Sequence, residues 1–118
     1  MCIRDRRGTV PPLCAAKGCD CNFSGLENRS KKLIEDGADA GSAARFLFDS
    51  IERTLVKMIE TAMARCGEAP LVLCGGVMSN RSIREGLSRQ FETVSASPAV
   101  SADNAVGVAA LALLEEVR

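Results

Sequence analysis

The chain has 118 residues, 47% of them hydrophobic and 25% charged, enough for one small globular domain and too few for two. Lys plus Arg and Asp plus Glu both number 15, a balance that argues against a stand-alone nucleic-acid binder. With no Trp, no Tyr and four Phe, the core must be built from aliphatic side chains and alanine. No apolar run approaches the ~20 residues needed to cross a bilayer. Met1–Gly8 (MCIRDRRG) is basic without an apolar stretch, so a cytoplasmic protein with no membrane contact is expected. The six cysteines are then expected as reduced thiols rather than a disulfide framework. Cys66 and Cys74 fall at apolar positions and are expected in the core. Cys14, Cys19 and Cys21 give C-x4-C-x-C, which lacks the paired C-x2-C spacing and nearby fourth ligand of a zinc site.

In chain order, residues 1–16 show no usable periodicity, and Pro11-Pro12 forbids a regular helix, so they are expected to form an unstructured or non-native tail. Cys19, Cys21 and Phe23 alternate with Asp20 and Asn22, a short strand that Ser24-Gly25 breaks. Leu26, Leu33 and Ile34 then lie at helical spacing, with Gly37 as C-cap. The clearest signal runs from Asp39 to Cys66. Ala44, Phe48, Ile51, Leu55, Met58, Ile59, Ala62 and Cys66 recur every three or four residues, opposite Arg45, Asp49, Glu52, Arg53, Lys57 and Glu60. Asp39 or Ser42 can cap this amphipathic helix at its start and Gly67 at its end; it would be roughly 40 Å long.

Leu71–Cys74 is a continuous apolar run, the pattern of a parallel strand buried on both faces. Gly75-Gly76 ends it, and a helix with Ile83 and Leu87 inside and Arg81, Arg84, Glu85 and Arg89 exposed follows. Two missing Cβ atoms at the end of such a strand let a ligand or another backbone come close, and the helix beginning beyond offers N–H groups to an anion. A tight strand–helix turn with no ligand accounts for the same residues. Phe91–Ala96 reads as a second, less buried strand. Asp103 can cap a final helix over Ala105–Val117, whose Ala105, Gly107, Ala109, Ala110 and Ala112 suggest close packing on a sheet. The alternation implies an α/β fold with parallel strands and helical crossovers, although three strands with a bare face make a poor independent sheet.

Taken in order, NFSGLENRSKKLIEDG, the long helix, LVLCGGVMSNRSIREGL and PAVSADNAVGVAALA resemble the C-terminal part of the TsaD/Gcp (Kae-type) family of tRNA adenosine threonylcarbamoyltransferases. The resemblance covers about residues 17–117, and GCDCNFSGLEN is more similar to a paralogous bacterial branch than to the housekeeping enzyme. It implies that residues 17–118 form part of an actin-like ATPase (ribonuclease H-like) domain, its C-terminal half. It also implies substrates: a threonylcarbamoyl-adenylate and the N6 amine of a tRNA adenosine. By the same resemblance Gly75, Gly76 and Val77 match the loop that faces the adenylate or ATP-type nucleotide, and Asn80 the substrate-contacting asparagine. Asp103 matches a ligand to an active-site metal, iron or another divalent ion, with Asn104 beside it; without the resemblance Asp103 reads first as a helix cap. Ser24 and Gly25 match a turn with a structural role.

One departure counts against full activity. The family's two histidine ligands, an HxxxH motif on the N-terminal lobe, have no counterpart here, because the chain contains no His. One aspartate does not hold a transition metal. The expectation is therefore a fragment or truncated paralogue, inactive alone, that needs the missing N-terminal lobe or a paralogous subunit. The alternatives are a non-catalytic actin-fold module that binds nucleotide or pairs with another subunit, and another member of the actin-like superfamily.

Overall fold

A computed structural model of the chain describes residues 10–97, 99 and 105–116. It is an α/β structure in two compact units, up to Ala69 and from Pro70. Among the described residues there are two two-stranded sheets, one antiparallel and one parallel.

The first unit begins with a hairpin of β1 (Ala16–Lys17) and β2 (Asp20–Cys21), with Ala16 opposite Cys21 and Lys17 opposite Asp20. Gly18 takes φ 66 at the first of the two loop positions, as a type II′ connection requires. The strand expected over Cys19–Phe23 is thus shortened, and Ser24-Gly25 opens α1 (Ser24–Glu35) instead of ending a strand. Asn22 explains the switch, because its Oδ1 accepts bonds from the Ser24 N–H at 3.0 Å and Oγ at 2.7 Å. Leu26 and Leu33 of α1 are buried with Phe46, while Ile34 is 58% exposed. Gly37, at φ 94, turns the chain after α1 as its position suggested.

Helix α2 (Ala40–Cys66) runs as the pattern indicated. The Asp39 carboxylate accepts the Ser42 N–H at 3.0 Å, and the N–H of Gly67, at φ 89, bonds to the Met63 carbonyl. Its buried face differs from the expected one. Ala43, Phe46, Ser50 and Thr54 are buried, whereas Ala44, Phe48, Ile51, Leu55, Met58, Ile59 and Ala62 are half-buried. The residues before the hairpin decide this. Leu13 donates its N–H to Ser50 Oγ and Ala15 donates its own to Thr54 Oγ1, both at 3.0 Å, and Thr54 Oγ1 donates to the Ser50 carbonyl at 2.7 Å. Two hydroxyls are buried because each completes hydrogen bonds for an extended segment laid along the helix. Cys66, expected in the core, is exposed, since as the last residue of α2 it has no following turn to shelter it.

In the second unit, β3 (Leu71–Leu73) and β4 (Thr93–Ser95) are parallel, with Leu71, Val72 and Leu73 opposite Thr93, Val94 and Ser95. A 3₁₀ turn (Gly76–Ser79) and α3 (Arg81–Ser88) make the crossover between them. Leu73, Ile83 and Leu87 are at most 7% exposed, and Gly86, buried on the same face of α3, leaves room for close packing. The expectation that β3 is buried on both faces fails. Val72 and its partner Val94 are 73% and 58% exposed, because side chains alternate across a strand and this two-stranded sheet has only one covered face. Cys74 is exposed as well, contrary to its expected core position just past the end of β3. Helix α4 (Ala105–Glu116) forms where the sequence places it, but Val108, Leu111, Leu113 and Leu114 are 60–65% exposed rather than packed on a sheet. Among the described residues no helix is long and apolar enough to cross a membrane.

Candidate functional site

The loop from Cys74 to Asn80 lies at the C-terminal end of β3, the end at which ligands bind in open α/β sheets. Gly75 adopts φ 99, ψ 166, a region essentially closed to residues with a Cβ, so glycine is required there by the backbone. Packing makes no such demand. Among the described residues, apart from the neighbouring backbone, a Cβ added at Gly75 or Gly76 would meet no atom within 4 Å. The Met78 N–H bonds to the Gly75 carbonyl at 3.1 Å and the Asn80 N–H to the Val77 carbonyl at 3.0 Å, which closes the 3₁₀ turn. Val77 is 55% exposed and adds an apolar side chain to the loop surface.

Asn80 ends the loop and starts α3. Its Oδ1 accepts the Ile83 N–H at 3.2 Å, and its carbonyl accepts the Arg84 N–H at 3.1 Å. The cap therefore engages the oxygen of the amide, and the two N–H donors sit on the other end of a half-buried side chain. Arg84, expected to be exposed, is half-buried, and its Nη1 donates to the Met78 carbonyl at 3.1 Å. The reason is its place four residues beyond Asn80, on the side of the first helical turn that faces back over the loop. Arg81 behaves as a surface residue: it is 82% exposed and binds Glu85 at 2.6 Å. Hydrogen bonding to Arg81 holds the Glu85 carboxyl below the usual carboxylate range. Ser79 Oγ is buried with no hydrogen-bond partner among the described residues.

The structure thus brings Gly75, Gly76, Val77 and Asn80 into one short loop at a strand end, as the spacing suggested. Arg84 and Ser79 were not legible as site residues. The i, i+4 relation of Arg84 to the cap is the one signal that could have found it. Asp103 and Asn104 lie outside the described residues, as do residues 1–9 of the expected tail. Among the described residues no group of three or more His, Cys, Asp or Glu side chains is placed to hold a metal ion, the cysteines of the hairpin included.

No protein-family model matches the chain. It is 33% identical over 113 residues to a probable bifunctional tRNA threonylcarbamoyladenosine biosynthesis protein of Halobacterium salinarum, a match covering 92% of this chain and 21% of that protein. Another protein of that description, from Methanothermobacter thermautotrophicus, is 34% identical over 62% of the chain and 14% of its own length. A tRNA N6-adenosine threonylcarbamoyltransferase of Neorickettsia sennetsu is 36% identical over 59% of the chain and 23% of its own length. The chain spans about a fifth of the length of the curated relatives it matches.

Proposed function

We propose, for a chain that is by sequence a relative of the tRNA threonylcarbamoyladenosine proteins, that it forms one wall of a site for threonylcarbamoyl transfer to a tRNA adenosine, within an actin-like ATPase type of domain. The loop Gly75-Gly76-Val77 faces the adenylate of the acyl donor. Asn80 directs its amide N–H donors at that substrate while its oxygen keeps the helix cap. The observation that carries the reading is the glycine pair at the end of a parallel strand, where, among the described residues and apart from the neighbouring backbone, no atom comes within 4 Å of an added Cβ. A nucleotide phosphate or ribose can therefore approach the backbone closely there.

Asp103 contributes a single carboxylate toward a divalent metal, with iron the ion implied by the resemblance. The residues of this chain do not by themselves fit such a metal: it has no His, and the described residues bring no three ligands together. The remaining ligands, and the opposite wall of the site, come from outside this chain, from an N-terminal lobe or a paralogous subunit. The absence of His from all 118 residues also favours a second reading, a non-catalytic module that binds nucleotide or pairs with a subunit.

Asn80→Asp separates capping from substrate contact. Asp caps helices as well as Asn does, so the fold is retained, but both N–H donors are lost and a negative charge faces the phosphate. Titrating AMP into the isotope-labelled chain is expected to move the Gly75, Gly76 and Val77 amide resonances in the wild type. The variant is expected to bind about tenfold or more weakly, the size of one lost hydrogen bond to a charged group. AMP that leaves all three resonances unmoved in the wild type refutes the reading.

A further inference from the structure

We propose that Arg84 is a positioning residue for the Gly75–Asn80 loop, holding the glycine turn from α3 and turning a cationic group toward the phosphate of the adenylate. The second half of this proposal rests on the reading of the loop as nucleotide-facing. The first half rests on bonds within the chain. Arg84 enters the loop twice: its backbone N–H bonds to the Asn80 carbonyl and its Nη1 to the Met78 carbonyl, both at 3.1 Å. Met78 in turn donates its N–H to the Gly75 carbonyl at 3.1 Å. One line of bonds thus joins the guanidinium to the residue whose φ of 99 sets the course of the loop.

Among the described residues the other arginines of this region make no such connection. Arg81 is spent on Glu85, and Arg89 is exposed just past the end of α3. A guanidinium carries five N–H donors in a rigid plane, and the bond to Met78 uses one of them. The rest of the fork matches the geometry of phosphate oxygens, and its charge adds to the N-terminal dipole of α3 beside the Met78 carbonyl.

The test uses the full chain with isotope labels, reading the Gly75 and Gly76 amide resonances and their exchange with solvent first without ligand. Ile83 and Leu87 methyl resonances report that the helix stays packed. Arg84→Met removes both the donor and the charge; it is expected to shift both glycine resonances and speed their exchange. Arg84→Gln keeps an N–H donor for the Met78 carbonyl and is expected to restore them. AMP affinity is expected to fall about tenfold in both variants, because both lose the charge, and to recover largely in Arg84→Lys.

Glycine resonances unchanged in Arg84→Met overturn the clamp whether or not AMP binds. AMP bound equally well by Arg84→Gln and the wild type overturns the phosphate role. AMP that moves no loop resonance in the wild type overturns the nucleotide-facing reading and with it the phosphate half, while the ligand-free resonances still decide the clamp. Should Arg84→Met fail to fold, the ligand-free comparison of Arg84→Gln with Arg84→Lys replaces it. A glutamine that keeps the wild-type resonances only when the lysine also does refers them to the shared donor; resonances that follow charge alone overturn the clamp.

Discussion

The unit ending at Ala69 and the unit beginning at Pro70 differ in what lies against their backbones. In the first, an extended segment is pinned to α2 through Ser50 and Thr54, and Leu26, Leu33 and Phe46 close an apolar cluster beside it. In the second, α3 covers one face of a two-stranded sheet through Ile83 and Leu87, and Val72 and Val94 lie bare on the other. Among the described residues of the first unit, no buried side-chain nitrogen or oxygen lacks a hydrogen-bond partner. The second leaves apolar surface on its sheet and along α4, in the state of a parallel sheet that lacks a layer. The difference teaches that a strand–turn–helix can present a formed loop while the sheet behind it is half covered.

Truncating the core of each unit tests whether the two are energetically separate. Phe46→Ala is expected to cost about 3–5 kcal/mol and Leu87→Ala about 2–5 kcal/mol, from lost transfer energy and the cavity left behind. Hydrogen exchange should show Phe46→Ala loosening α1 and α2, and Leu87→Ala loosening β3, α3 and β4. Either variant loosening both units equally breaks the comparison. A smaller change tests the polar contact. Thr54→Val keeps the shape of the side chain but leaves the Ala15 N–H without its acceptor, at an expected cost of about 1–3 kcal/mol in denaturant unfolding. A loss below that range means that the segment at Leu13–Ala15 is held by packing instead.

The smallest effect is electrostatic. Lys31 bonds to Glu27 and Arg81 to Glu85, and in both pairs the bond holds the carboxyl below its ordinary value. A lowered folded-state pKa stabilises the fold above the unfolded carboxylate range, and that contribution is lost as the pH falls through the folded values. Both pairs are exposed i, i+4 bridges, so the effect is slight and fades with salt. Glu27→Gln and Glu85→Gln are each expected to flatten the acid limb of the stability curve a little, measured by unfolding midpoints from neutral pH downward. A midpoint that does not change with either substitution removes the pair from the account.

Much of the local architecture was legible. Asp39 and Gly67 mark the ends of α2, Gly37 turns the chain after α1, and Ile83 with Leu87 marks the inner side of α3, because caps and helical spacing act within a few residues. The buried side of α2 was not. Its apolar stripe at Phe48, Ile51 and Leu55 is the stronger periodic signal, yet Ser50 and Thr54 are the residues fully buried. A hydroxyl is buried when something distant supplies a donor, and the donors here are 37 and 39 residues away in sequence. Cys66 and Cys74 were misplaced for a related reason: apolar character says that a side chain tolerates burial, and only a neighbour can bury it.

The glycine loop shows where the division falls. Its position after an apolar strand, its pair of glycines and the asparagine that opens the next helix were determined by the order of residues alone, since each acts through its own backbone. The tertiary structure decided that no described side chain packs against Gly75 and Gly76, that one face of β3 is covered and the other bare, and that Arg84 turns back onto Met78. Those outcomes depend on which surfaces meet, and surfaces meet across distances that local sequence does not encode.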